Sequence, residues 1–144
     1  MTPPRVSVVM PAYNESEILE SSVKSVVDGL RAREESFEVL VVENGSTDDT
    51  LSIGRRLAAE YPEVRIEHRD QADYGHALRA GLLDAGGEAV VNFDTDYFDL
   101  DFLDAAVVQV LAVDGPAIVV GSKRGEGASD KRDPIRKLAT LVFS

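Results

Sequence analysis

The stretch VSVVMPAYNESEILESSVKSVVDGL, residues 6–30, switches partway from one hydrophobic period to another. Val6 to Met10 is a continuous apolar run closed by Pro11, the pattern of a strand buried on both faces. Beyond it Ile18, Leu19, Val23, Val26, Val27 and Leu30 recur at helical spacing, with Asn14 at the N-cap position and Glu17 three residues on. A buried strand leading straight into an amphipathic helix is the opening of a βαβ unit, and its repetition would require a parallel sheet.

The unit repeats. Phe37 to Glu43 (FEVLVVE) reads as a second strand, and NGSTDDTLSIGRRLAAEY as a turn and helix with Ser46 as cap and Asp49 at the reciprocal box position. Val64 to Arg69 alternates apolar and polar residues like a strand near a sheet edge, and Asp73 is placed to cap the helix that carries Leu78 and Leu82, with Gly86 and Gly87 as its stop. AVVNFD is a fourth strand, DLDFLDAAVVQVLAV a fourth helix and AIVVGS, from Ala117, a fifth strand. The predicted fold class is therefore α/β, a Rossmann-like, mostly parallel sheet with helices on both faces and right-handed crossovers. After strand five the chain turns basic and Gly-containing, with a short helix expected after Pro134.

A chain of 144 residues with 44% apolar composition suits one domain, residues 1–144, and its 28% charged residues are dispersed rather than massed in a disordered tract. The net charge of −11 argues against nucleic acid as a partner, since the phosphate backbone rewards a basic surface. The absence of cysteine excludes disulfides, thiolate metal sites and a Cys nucleophile. The first residues lack the cationic flank and apolar core of a signal peptide, and no apolar run approaches the roughly 18 residues that span a bilayer. The expected location is cytoplasmic, with at most peripheral contact at the inner membrane face.

Ligands of open parallel sheets bind beyond the carboxyl ends of the strands. That rule sends Glu15, Glu43, Asp94 and Asp96 to one rim. Two carboxylates one residue apart at a strand exit repel each other unless a cation lies between them, and an all-oxygen set of this kind suits Mg²⁺ or Mn²⁺ completed by water and phosphate. The same spacing also fits one aspartate capping the next helix while the other faces solvent. In ENGSTDDT, turn formation and capping account for every residue except Glu43, whose carboxylate could accept from a nucleobase edge while Tyr13 stacks on the ring. Neither G-x-G-x-x-G after strand one nor G-x-x-x-x-G-K-[ST] is present. His68 and His76 read as ordinary satisfied or surface histidines, and the basic residues from Lys123 to Lys137 read either as a solvated loop or as a binder of phosphate or an anionic membrane face.

Taken in order, VSVVMPAYNE, VLVVENGSTDDT, DYGHALRAGL, VVNFDTD and VVGSKR resemble the family 2 glycosyltransferases of the GT-A fold, in particular the branch of dolichyl-phosphate mannose and glucose synthases. The resemblance covers the chain from Arg5 onward. It implies a metal-dependent hexosyltransferase that moves a sugar from a nucleoside diphosphate donor, UDP or GDP, with inversion at the anomeric carbon and a polyprenyl phosphate as acceptor. Pro11, Ala12, Tyr13 and Glu15 would line the nucleoside pocket, and Glu43 would replace the base-reading aspartate of the family. Asp94, Thr95 and Asp96 match its D-x-D, with Asp94 and Asp96 as ligands of Mg²⁺ or Mn²⁺. Lys123 and Arg124 would add positive charge at the diphosphate. The position of a further ligand in that branch is Phe98, which cannot coordinate, leaving Asp99, water or substrate to complete the shell. The resemblance assigns no general base, and it implies that part of the C-terminal acceptor region is missing. Two other readings differ in class: a non-catalytic nucleotide-binding module of the same fold, and a receiver-like signalling domain, which the position of the acids after strands two and four disfavours.

Overall fold

A computed structural model of the chain describes residues 2–121. In chain order the elements are β1 (Val6–Ala12), α1 (Leu19–Ala32), β2 (Phe37–Asn44), α2 (Thr50–Glu60), β3 (Val64–Arg69), α3 (Tyr74–Asp84), β4 (Ala89–Asn92) and α4 (Leu100–Val110). The four strands form one sheet in the order β3-β2-β1-β4, and every pair is parallel. The central strands are the apolar runs. All of β1 and nearly all of β2 are buried, whereas β3 and β4 lie at the two edges and are partly exposed.

Alternation along β1 sorts its side chains between two layers. Val6, Val8, Met10 and Ala12 join Leu19, Val23, Val26, Val27 and Leu30 of α1, Leu57 of α2 and Leu103 and Val107 of α4 in the larger core. Val9 on the opposite face packs with Leu40, Val42 and Ala77 of α3. Helices thus cover both faces, three against one. The single helix lies close to the sheet because Gly81 has no side chain: a Cβ there would sit 2.5 Å from Val9 and 2.9 Å from Val42.

Three expectations about local structure need correction. The run from Ala117 forms no strand through Gly121, and Ile118 and Val120 are 76% and 81% exposed. A strand exists only through pairing, and this run makes no ladder with β4, the edge strand beside it; Ser122 and the helix expected after Pro134 lie outside the described residues. Asn14 does not cap α1. It takes a left-handed conformation, φ 51°, and its Oδ1 accepts from the backbone N–H of Thr47 at 2.8 Å. Nor does Ser46 cap α2, because its hydroxyl accepts from the N–H of Asn14 at 2.9 Å, while the carboxylate of Asp48 accepts from the N–H groups of Thr50 (2.9 Å) and Ser16 (3.2 Å). The loops after β1 and β2 lie side by side, so their polar side chains serve each other's backbones before their own helices. Asp73 does cap α3, accepting from His76 N at 2.9 Å. No helix among the described residues is long and apolar enough to cross a membrane.

Candidate functional site

Parallel strands deliver their carboxyl ends to one rim, and β1 and β4 are neighbours there. Between their exit loops opens a pocket of about 400 Å³, lined by Pro11, Ala12, Tyr13, Glu15, Asn44, Ala72, Tyr74, Asp94, Thr95 and Asp96. Seven of these are residues singled out in the sequence, drawn from segments some eighty positions apart.

The D-x-D segment is held by its middle residue. Thr95 is 3% exposed, and its carbonyl accepts from the buried hydroxyl of Ser22 on α1 at 2.6 Å. With Thr95 turned inward, alternation places Asp94 and Asp96 together on the exposed side of the chain, both in the pocket wall. The turn is closed by the N–H of Tyr97 on the carbonyl of Asp94 at 3.3 Å. Oδ1 of Asp94 accepts from the hydroxyl of Tyr74 at 3.0 Å. Glu15 faces the same charges. Burial pushes its carboxyl above the ordinary range, a hydrogen bond from Thr95 opposes this, and the negative charges of Asp96, Asp48 and Asp94 add to the rise.

Glu43 departs from its expected role. It is 0% exposed and lies behind the pocket. Its Oε1 accepts from the N–H of Ser46 at 2.5 Å and its Oε2 meets Nδ1 of His68 at 2.5 Å, while Nε2 of His68 meets Asp70 at 3.0 Å. Burial alone would raise its pKa, but the bonds from Ser46 and the His68 contact outweigh burial and hold the carboxyl below the ordinary value. Both of its oxygens are committed to the fold, so it has no face to offer a nucleobase.

Its neighbour Asn44 has the reach that Glu43 lacks. Asn44 is 4% exposed, and its Oδ1 accepts from the N–H of Asp73 at 2.8 Å, which fixes the amide so that Nδ2 carries the donors. Nδ2 has no partner among the described residues, yet no wholly buried side-chain nitrogen or oxygen there lacks one, so Nδ2 is open to the pocket that Asn44 lines. Asn44, Ala72 and Tyr74 escaped the sequence reading. For Asn44 the available signal was its place beside Glu43 at the strand end, one step along the pleat.

The donor set suits a hard divalent cation in one specific way. Among the described residues no three His, Asp or Glu side chains stand close enough to hold a metal ion. Asp94 and Asp96 alone do suit an ion that takes one or two carboxylates and completes its shell with water and substrate phosphate, as Mg²⁺ does. Phe98 packs on Phe93 with ring centroids 6.4 Å apart, and Asp99 caps α4 by accepting from Asp101 N and Phe102 N, each at 3.0 Å. Asp99 thus gives Oδ1 to the helix, and it lies outside the lining of this pocket. Lys123 and Arg124 lie outside the described residues. A wider cleft of about 710 Å³ between β3 and α3 includes Glu67, Arg69, Asp70, Arg79 and Asp84. Its opposite charges pair largely with one another, as Arg69 does with Glu67 at 3.1 Å. The smaller pocket brings Glu15, Asp94 and Asp96 into one wall.

Comparison with known proteins agrees with this geometry. Residues 7–142 match the family described as Glycosyl transferase family 2. Dolichyl-phosphate beta-glucosyltransferase ALG5A of Trichomonas vaginalis is 31% identical over 146 residues, covering 94% of this chain and 45% of that protein. Among solved structures, the mannosyltransferase PcManGT from Pyrobaculum calidifontis, in complex with GDP-Man and Mn²⁺, aligns with a TM-score of 0.64 at 32% identity, over 78% of this chain and 34% of the other. Glucosyl-3-phosphoglycerate synthase from Mycobacterium tuberculosis, in complex with UDP, aligns at 0.57 and 30% identity, over 78% and 42%. The chain spans less than half the length of each of these proteins. The architecture is the GT-A fold, and with a family match running from β1 to residue 142 the chain belongs to glycosyl transferase family 2.

Proposed function

We propose that residues 1–144 form the donor-binding domain of an inverting hexosyltransferase. It takes a UDP- or GDP-sugar with a divalent cation, Mg²⁺ or Mn²⁺, and delivers the sugar to a polyprenyl phosphate. The observation that carries this reading is the pocket that Tyr13 and Asn44 line together with Asp94 and Asp96. Its lining thus offers partners for a base and for a charged diphosphate. The complex of PcManGT with GDP-Man and Mn²⁺ and that of the synthase with UDP support the donor class, and the dolichyl-phosphate enzyme supports the acceptor.

In this reading Tyr13, 45% exposed at the pocket mouth, stacks on the base. Asn44, in place of Glu43, donates from Nδ2 to a base carbonyl. Pro11 and Ala12 form the apolar floor under the nucleoside, and Glu15, held by Thr95, borders it. Asp94 and Asp96 hold the cation, which when bound offsets the charge gathering on the departing diphosphate. Lys123 and Arg124 would add positive charge at the diphosphate. The acceptor phosphate is ionised at neutral pH, so it attacks the anomeric carbon from the face opposite the diphosphate without a protein base. Such an acceptor places the enzyme at the inner face of a membrane as a peripheral protein.

Calorimetric titration of UDP and of GDP into this chain, with and without Mn²⁺, tests the proposal. The expected result is binding of one of the two, strengthened by the ion. Absence of binding for both in either condition overturns it, and binding without turnover of any nucleotide sugar favours the non-catalytic module.

A further inference from the structure

The geometry points to Tyr74 as a positioning residue for the D-x-D carboxylate: its hydroxyl fixes the rotation of Asp94 so that Oδ2 is presented to the cation and diphosphate. This inference rests on the cation reading of the pocket above and adds to it a residue outside the D-x-D. Tyr74 is the first residue of α3, where the helix start is itself secured. Asn44 accepts from the N–H of Asp73, Asp73 accepts from the N–H of His76, and the phenol that follows reaches across to β4. Its hydroxyl donates to Oδ1 of Asp94 at 3.0 Å.

The backbone around Asp94 is already held, by Ser22 on the Thr95 carbonyl and by Tyr97 on the Asp94 carbonyl. What remains free is rotation about the bond to the carboxyl group, a broad torsion with weak intrinsic preference. The Tyr74 bond removes that freedom before any ion arrives. With Oδ1 occupied by the phenol, Oδ2 is the oxygen left for the pocket. Partners of this kind, one step removed from a metal, orient its ligands and commonly change metal affinity by about 10- to 100-fold when removed. Tyr74 is 51% exposed and outside the main core, so loss of its hydroxyl leaves the fold intact.

The test uses the full chain with Tyr74→Phe and Asp94→Asn beside the unmodified protein. Titration with UDP and GDP, with and without Mn²⁺, separates nucleotide affinity from the gain the ion supplies, and electron paramagnetic resonance of Mn²⁺ reports the ion's surroundings without turnover. For Tyr74→Phe the expected result is a Mn²⁺-dependent gain reduced about 10-fold, more than any change in metal-free affinity, and a broadened spectrum of the bound ion. An unchanged gain in Tyr74→Phe, with the gain lost in Asp94→Asn, overturns the positioning role and leaves the cation site standing. An equal loss with and without Mn²⁺ also overturns it, since Tyr74 would then be a wall of the nucleoside pocket. If the unmodified protein shows no Mn²⁺-dependent gain, the cation reading itself fails, and the inference with it.

Discussion

Glu43 and Asp48, at and after the end of β2, and Asp94 and Asp96, after β4, stand on one rim of one sheet, and they differ in what their oxygens do. Glu43 is wholly buried and divided between Ser46 and His68. Asp48 accepts from the backbone and hydroxyl of Thr50 and from Ser16. Asp94 and Asp96 are exposed in the pocket, and the bond given to Asp94 comes from another pocket residue, Tyr74. Acids of the first group hold two loops together, and those of the second line the pocket. A carboxylate at a strand end is therefore not informative by itself; what matters is whether the fold has already consumed its lone pairs.

The comparison breaks most readily at Asp94. Asp94→Asn keeps the shape and removes one of the two charges available to a cation. The expected outcome is a loss of about 100-fold or more in Mn²⁺-supported nucleotide affinity, with little change in melting temperature. Calorimetry with and without Mn²⁺ beside a thermal melt gives both numbers. A large drop in melting temperature would place Asp94 with the structural acids and erase the distinction.

Glu43→Gln should behave in the opposite way. The amide keeps an acceptor for Ser46 but loses the charge that His68 faces, at a cost of about 2 kcal/mol, typical of a hydrogen bond to a charged group. The Mn²⁺-dependent gain should be untouched. Its pH dependence follows from the two partners. Glu43 is held below the ordinary value of 4.5 by bonds that outweigh its burial, so its contribution is complete above 4.5 and is lost as pH falls through its folded value. His68 is raised above 6.5, first by its bond to Glu43 and with Asp70 adding to the rise, so its contribution is complete below 6.5 and is lost as pH climbs through its folded value. The stability difference between wild type and Glu43→Gln should be greatest between pH 4.5 and 6.5, as measured by denaturant titration across pH.

The α/β alternation was legible because the central strands are unbroken apolar runs and the helices carry a clear apolar stripe; β1 and α1 emerge where Val6 to Met10 and Ile18 to Leu30 place them. Legibility ended where a side chain serves a residue distant in sequence. Asn14, Ser46 and Asp48 all have cap-forming chemistry, and local spacing assigns the first two to their own helices. Only the neighbouring positions of β1 and β2 turn them toward each other's loops. Likewise Asn44 reads as a turn residue and Tyr74 as a helix start until the topology brings both to the pocket that Asp94 lines. β-strand alternation and the strand-end rule are local, and they place Asp94 and Asp96 at the rim; the burial of Glu43 at the end of β2 depends on His68, which arrives from β3.

The smallest effect is the sharpest check on the structural group. Asp48 is solvent-exposed, so its bonds compete with water and its removal should cost only about 1 kcal/mol, as for a helix cap. Burial pushes its carboxyl up, but the bonds from Thr50 and Ser16 hold it down to about 2, against an ordinary 3.8. A depressed acid stabilises the fold above its unfolded value and loses that effect as pH falls through its folded value. Asp48→Ala should therefore lower the melting temperature at neutral pH by roughly 4 °C. The difference should narrow below pH 3.8 and close near pH 2. Because Asp48 also raises the carboxyl of Glu15 across the loop boundary, the same substitution should lower the pKa of Glu15 slightly, readable by carboxyl NMR titration. A melting difference that persists unchanged down to pH 2 would mean that Asp48 acts through packing rather than through its charge, and its place beside Glu43 in the comparison would be lost.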